Sequence, residues 1–106
     1  MTNAEIYRQI KTTGLPVAYG FFPADDVPPF PYVTYGVADT QNISADNRVA
    51  VIVEYIEINL YTAEKDEENE RKIETALSGF FWQKEETLDD GDGFQITYTI
   101  ANRKVL

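Results

Sequence analysis

The chain has 106 residues, of which 43% are hydrophobic and 13% are aromatic, which is enough apolar material for one core and too little length for a second domain. Eighteen acidic and nine basic residues give a formal charge of -9, which repels nucleic-acid backbones and anionic membrane surfaces. The sequence contains no Cys and no His, so disulfides, thiolate metal sites and the usual nucleophile and base pairs of enzymes are excluded. We therefore expect one domain, no enzymatic activity and no cofactor.

The N-terminal residues lack the basic and apolar regions of a signal peptide, and no apolar run approaches the roughly 18 residues that span a bilayer. These features predict a protein that is made in the cytoplasm and does not contact a membrane.

The first predicted element is a short helix over residues 3 to 12. Thr2 and Glu5 have the spacing of a capping box, and Gly14 follows the helical pattern. Residues 15 to 20 read as a brief first strand. Residues 21 to 31 contain four prolines, which predicts a stiff loop.

A second strand is predicted over residues 32 to 37, followed by a long polar turn over residues 38 to 47. Residues 48 to 62 give the strongest strand pattern, and their length predicts a strand that is bent, interrupted or projecting beyond the sheet as one arm of a hairpin. The apolar residues change from odd to even positions near Tyr55, which predicts a bulge or a change of packing environment.

The second predicted helix begins at Asp66 as N-cap and ends at Gly79. Its predicted buried stripe is Asn69, Ile73, Ala76, Leu77 and Phe80, and the pairs Glu67 with Arg71 and Glu68 with Lys72 are predicted on its wet face. Two further strands, over residues 81 to 88 and 94 to 100, flank a tight turn. The sequence therefore predicts an α+β fold, with two helices packed on a mainly antiparallel sheet of about five strands.

Three local features have both a functional and a structural interpretation. The turn over residues 89 to 93 resembles the start of a calcium loop, but it lacks the closing Glu and the following helix, so a hairpin turn without metal is preferred. Phe80, Phe81 and Trp82 fit a ligand-stacking platform, but core positions are preferred. Eleven of the eighteen acidic residues lie within residues 64 to 92, which is typical of a solvated helix face and hairpin tip.

Several strings of the sequence resemble the small head-tail joining and tail-completion (tail terminator) proteins of long-tailed phages and prophages of Gram-positive bacteria. They are residues 13 to 19 (TGLPVAY), 29 to 35 (PFPYVTY), 45 to 47 (ADN) and 58 to 62 (INLYT), the last leading through Lys65 and Asp66 into an acidic helix. The pattern that these strings form, taken in order, extends over essentially the whole chain.

The resemblance implies a structural virion protein that forms a ring, commonly a hexamer, at the head-proximal end of the tail. Its implied partners are further copies of itself, the tail tube protein and the head connector, and DNA passes through the ring without specific binding. It implies no cofactor and no catalysis.

The residues themselves predict that the segment Asp39 to Arg48 is mobile in the free subunit and that residues 39 to 53 make a subunit contact. In this hypothesis Arg48 pairs with a carboxylate of the next subunit. The predicted interface residues are Asp39, Ser44, Asp46, Asn47, Arg48, Val49, Val51 and Val53, together with Phe30 from the proline-rich loop.

Two other functions are compatible with the sequence. A small acidic inhibitor that mimics DNA would bind the basic groove of a nucleic-acid enzyme, with a steep salt dependence. A ligand-binding domain would need a concave apolar pocket.

Overall fold

A computed structural model describes residues 2–89 and 93–106, which form an α+β fold of two helices and one five-stranded sheet. Helix α1 spans Asn3–Lys11, and both halves of the predicted capping box with Thr2 and Glu5 are present. Helix α2 spans Glu67–Ala76, and Asp66 is its N-cap as predicted, since its side chain accepts from the backbone N–H of Asn69. Within the described ranges, neither helix is long and apolar enough to cross a membrane.

The five strands are β1 (Val17–Tyr19), β2 (Tyr32–Ala45), β3 (Arg48–Thr62), β4 (Trp82–Asp89) and β5 (Gly93–Val105). Their order across the sheet is β1-β2-β3-β5-β4, and only the short β1 is parallel to its neighbour. The prediction of two helices on a mainly antiparallel sheet of about five strands is therefore confirmed. The proline-rich segment between β1 and β2 contains no helix or strand, again as predicted.

Both helices pack on one face of the sheet, over the half that contains the first residues of β2 and the last residues of β3. Ile6 and Ile10 of α1 and Ile73 and Leu77 of α2 are fully buried there. They share one core with seven sheet residues: Val33, Ile56, Ile58, Leu60, Ile96, Tyr98 and Ile100. Of the predicted stripe of α2, Ile73, Ala76 and Leu77 are buried, and Phe80 packs partly buried against the core. The predicted position of Asn69 is corrected, because Asn69 is only half-buried and the neighbouring Glu70 is buried instead.

The predicted long turn over residues 38 to 47 is wrong, because β2 continues to Ala45 and only Asp46 and Asn47 form the connection to β3. Both of these residues have positive φ, of 52° and 62°, as a two-residue type I′ hairpin turn requires. The extra strand residues are polar because neither face of this part of the hairpin has a helix packed on it. The polar sequence of residues 38 to 45 therefore reflects a strand with both faces exposed to solvent, and not a loop.

The change of apolar parity near Tyr55 reflects a change of packing environment, and not a bulge in β3 at that point. Strand β2 has a bulge at Ala38, between its pairs Val37 with Ile56 and Asp39 with Tyr55, whereas β3 keeps a regular register with β5. Even-numbered residues of β3 from Ile52 to Leu60 therefore face the side of the sheet that carries the helices, and Val51 and Val53 face the opposite side. A second register shift, between Ile43 and Ser44, leaves Ala50 without a partner on β2 just before Val49. The valines belong to a different packing environment from Ile56, Ile58 and Leu60.

Two predicted boundaries are also corrected. Helix α2 ends at Ala76 with Leu77 as C-cap, and Gly79, which was predicted to end it, is not among the residues with positive φ. Strand β5 does not end at Ile100, since it continues to Val105 and pairs with β3 as far as Val51. The molecule is consequently elongated, with principal extents of 51 × 27 × 23 Å.

Candidate functional site

The part of the sheet beyond the helices forms a projection, which we call the arm. It consists of residues 39 to 55, which include the hairpin turn, and of residues 101 to 105 of β5. Of the hypothesis that residues 48 to 62 are bent, interrupted or project as a hairpin arm, the structure supports the last.

The centre of the arm is a regular block of three strands and five rows. Val51–Tyr55 of β3 pairs on one side with Asp39–Ile43 of β2 and on the other side with Ala101–Val105 of β5, without a register shift in either pairing. Residues of one row lie side by side, so that Ile43, Val51 and Val105 share a row.

Both outer edges of this block are open within the described part of the chain. Strand β1 pairs with β2 only at Val33–Tyr35, and β4 pairs with β5 only as far as Ile100. No strand of the described residues therefore lies beside the outer edges of Asp39–Ile43 and Ala101–Val105. On the first edge the backbone N–H of Thr40 donates to Oδ1 of Asp39 at 2.8 Å, and on the second edge Asn102 is 3% exposed. Open edges of this kind are templates for pairing with another chain.

The tip of the arm exposes apolar side chains. Ile43 is 41% exposed, Val105 is 79% exposed and Leu106 is 72% exposed. Val53, deeper in the arm, is only 9% exposed and shares its row with Gln41. Oε1 of Gln41 accepts from the hydroxyl of Tyr55 at 3.1 Å. The apolar surface that remains free is thus concentrated at the tip and at the two outer edges.

The charges of the arm are divided between its edges. The β2 edge carries Asp39 and is followed by Asp46 in the turn, whereas the β5 edge carries Arg103 and Lys104. Lys104 forms an ion pair with Glu54 of the central strand. Neither Arg103 nor Arg48 has a carboxylate within ion-pair distance among the described residues.

The structure brings eight of the nine predicted interface residues together on the arm. Asp39 and Ser44 lie on β2, Asp46 and Asn47 form the turn, and Arg48, Val49, Val51 and Val53 lie on β3. Phe30 lies at the other end of the sheet, where its ring stacks on Tyr32 with centroids 5.6 Å apart. Phe30 is therefore separated from the other eight.

Sequence reasoning missed the contribution of β5 to the arm, and above all Arg103 and Val105. A signal was present, because the residues after Ile100 contain no Gly or Pro that would end the strand. The polar residues among them concealed the strand in the same way as in β2.

Around Asn59, the sheet face opposite the helices is polar and hydrogen-bonded. Oδ1 of Asn59 in β3 accepts from the Thr97 hydroxyl at 2.8 Å and from Nε2 of Gln95 at 3.2 Å. Its Nδ2 is 3.4 Å from the hydroxyl oxygen of Thr34, to which it donates. A solvated face is usual for an antiparallel sheet, and this network explains why no second layer is needed there.

A second cluster of charged residues lies where α2 meets β4. Glu70 of α2 is 2% exposed, and Nζ of Lys84 lies 2.6 Å from its Oε1, while Nζ of Lys65 lies 3.0 Å from its Oε2. Lys84 also contacts Glu74 at 3.0 Å, and Lys65 also contacts Glu86. The predicted pairs Glu67 with Arg71 and Glu68 with Lys72 are not among the ion pairs of the described residues.

The close contacts in this cluster shift the pKa values of two lysines and a tyrosine upward. Hydrogen bonds to Glu86 and Glu70 raise the pKa of Lys65. Burial lowers the pKa of Lys84, but its hydrogen bonds to Glu70 and Glu74 outweigh burial and the net shift is upward. Burial and a hydrogen bond to Glu74 raise the pKa of Tyr98. The ion pairs and the hydrogen bond from Tyr98 to Glu74 thus join α2 to β4 and β5.

The structure also locates the aromatic residues 80 to 82, while the predicted calcium-like turn lies partly outside the described residues. Trp82 packs edge-on against Tyr98 and Phe80 is partly buried, while Phe81 is fully exposed, so the three residues do not form one stacking platform. Residues 90 to 92 of the predicted turn lie outside the described residues. In the described ranges no group of three or more His, Cys, Asp or Glu residues is arranged to hold a metal ion.

A groove of about 430 Å³ between the two helices is lined mainly by polar residues, among them Thr12, Thr75 and Arg71. It is open to solvent and differs from the concave apolar pocket that a ligand-binding domain would need. Comparison of the sequence with models of protein families and with curated proteins gives no match.

Proposed function

We propose that this chain is a structural subunit of a phage tail, which assembles with copies of itself into a ring at the head-proximal end of the tail and joins the tail to the head connector. The proposal combines the resemblance of the sequence to tail-completion proteins with one structural observation. That observation is the arm, which extends beyond the domain core with two open strand edges and exposed apolar residues at its tip.

The arm supports assembly because its features are unfavourable for an isolated subunit. Unpaired strand edges and exposed Ile43, Val105 and Leu106 are aggregation hazards unless another chain covers them. Two neighbouring copies of the chain can cover the two edges, one edge each. The two edges differ in sequence and charge, which suits a heterologous contact that closes into a ring.

The net charge of -9 is compatible with DNA passage through such a ring. Carboxylates on the lumen would repel the phosphate backbone, so DNA would move without being bound. Further partners in this proposal are the tail tube protein on one face and the head connector on the other.

The alternative of a DNA-mimic inhibitor has less support from the charge distribution. Three carboxylates of the acidic segment, those of Glu70, Glu74 and Glu86, are bound by lysines and do not present a free negative surface. The arm also has no role in that alternative.

The test is electron microscopy of particles from a phage or prophage in which the gene for this chain is inactivated. The proposal predicts tails of abnormal length, or separated heads and tails, with restoration by the wild-type protein supplied in trans. Normal particles would contradict it. A soluble wild-type protein that stays monomeric and binds a basic nucleic-acid enzyme, with affinity falling steeply as salt rises, would instead support the inhibitor.

A further inference from the structure

The two open edges of the arm have the same length and lie opposite the same residues of the central strand. Asp39–Ile43 and Ala101–Val105 each have five residues, and each pairs with the same five residues of the central strand, Val51–Tyr55. Both β2 and β5 are antiparallel to β3, so they run parallel to each other. A second arm in the same orientation can therefore be placed beside the first with the edges in register.

We infer that the β5 edge of one subunit pairs in parallel with the β2 edge of the next subunit, so that the arms form one continuous inter-subunit sheet. This inference rests on the proposed function and specifies its subunit contact. The occupant of each edge is a second copy of this chain, and the contact is Ala101–Val105 against Asp39–Ile43.

Side chains at the two edges are complementary in this arrangement. With the rows aligned, Val105 of one subunit lies beside Ile43 of the next, because both belong to the row of Val51. Arg103 lies beside Gln41 of the next subunit. Asp39 of that subunit is the diagonal neighbour of Arg103 on the same face, at about 7 to 8 Å, which a long side chain can reach. The contact thus covers two exposed apolar residues and places an unpaired arginine near an aspartate.

Pairing of like edges lacks this complementarity. Two β2 edges would join two segments that each carry Asp39 and no cation, and two β5 edges would join two segments that each carry Arg103 without a carboxylate partner among the described residues. Like charges on adjacent strands are destabilising. The unlike edges therefore select the head-to-tail contact, which closes into a ring under rotation.

The test is a disulfide between the paired edges, which is clean because the chain has no Cys. Ile43→Cys and Val105→Cys are introduced together, and the purified variant is oxidised mildly. Within one subunit these positions are separated by two strand spacings, about 9.5 Å. That distance exceeds the roughly 7 Å limit between Cα atoms for a disulfide, so bonding must occur between subunits.

The expected result is a ladder of covalent multimers on non-reducing electrophoresis, which collapses to monomer on reduction. Each single variant should remain monomeric under the same conditions, and a mixture of the two single variants should give dimers only. A matched control pairs Ile43→Cys with Phe81→Cys, an exposed position outside the arm, and should give no ladder.

Two results would overturn the inference. One is a double variant without multimers, and the other is a disulfide dimer of either single variant at the level of the mixture, which would mean that like edges meet. Sedimentation of the wild-type protein distinguishes a failure of the edge pairing from a failure of the proposed ring-forming function. Wild-type oligomers without the ladder would overturn only the edge pairing, whereas a wild-type monomer together with normal particles from the inactivated phage would overturn both.

Discussion

Glu70 occupies the buried face of α2, in the same helical stripe as Ile73 and Leu77, although its residue type predicts a wet position. The positions 70, 73 and 77 have helical spacing, so the stripe itself is visible in the sequence. The sequence does not show that Lys65, before the helix, and Lys84, on a strand, would converge on this carboxylate. The lysines converge only because α2 packs against β4, and local sequence patterns cannot predict such a tertiary contact.

Removal of one cation tests whether the buried carboxylate depends on its partners. Lys84→Ala should lower the free energy of unfolding by about 1 to 3 kcal/mol, because Glu70 is then left buried with only Lys65 as partner. The control is Lys72→Ala on the exposed face of α2, which should change stability by no more than about 0.5 kcal/mol. Equal losses in urea titrations of the two variants would refute a special role for Lys84.

The same cluster predicts a dependence of stability on pH. Burial raises the pKa of Glu74, but hydrogen bonds from Tyr98 and Lys84 outweigh burial and the net shift is downward. A lowered pKa in the folded state stabilises the fold above the unfolded value of about 4.3, and this contribution is lost as the pH falls through the folded pKa. The raised pKa values of the lysines leave their contribution unchanged in this window.

Comparison of the wild type with Glu74→Gln isolates the pH-dependent contribution of Glu74 to the free energy of unfolding. The wild-type protein should be the more stable at pH 7, and the difference in unfolding free energy should shrink between pH 5 and pH 3. A difference that stays constant over this range, or grows as the pH falls, would show that Glu74 is not stabilised by its hydrogen bonds.

At the scale of the elements, both helices and the core part of the sheet follow from the sequence, because each has one apolar and one polar face. The capping residues Thr2 and Asp66 mark both helix starts. The distal halves of β2 and β5 could not be predicted in this way. They have no helix on either face, so the alternation of apolar and polar residues that identifies a half-buried strand is lost.

The type I′ turn should control the stability of the hairpin. Asn47 has a φ of 62°, a conformation that costs a β-branched residue about 1 to 2 kcal/mol, and glycine nothing. We expect Asn47→Val to destabilise the hairpin by this amount and to accelerate amide exchange in the arm, while Asn47→Gly leaves both unchanged or slightly improved. The same unfolding and exchange behaviour for the two variants would contradict the turn geometry.

At the scale of the whole molecule, the position of the predicted interface in residues 39 to 53 came from their exposure beside a long strand, and the structure places these residues on the arm. The second edge, formed by Arg103 and its neighbours, follows only from the strand order, which pairs β5 and not β4 with β3. The predicted mobility also needs refinement. Amides of the arm that point toward β3 are already hydrogen-bonded within one subunit, so only the outward amides should change on assembly.

The central claim is that copies of this chain assemble through the arm, and hydrogen exchange on free and assembled protein tests it most directly. The outward amides of Asp39–Ile43 and Ala101–Val105 should exchange rapidly in the free subunit and slowly in the ring or on tail tubes, while exchange of the exposed face of α2 stays the same. Equal, rapid exchange of both edges in the two states would contradict the account.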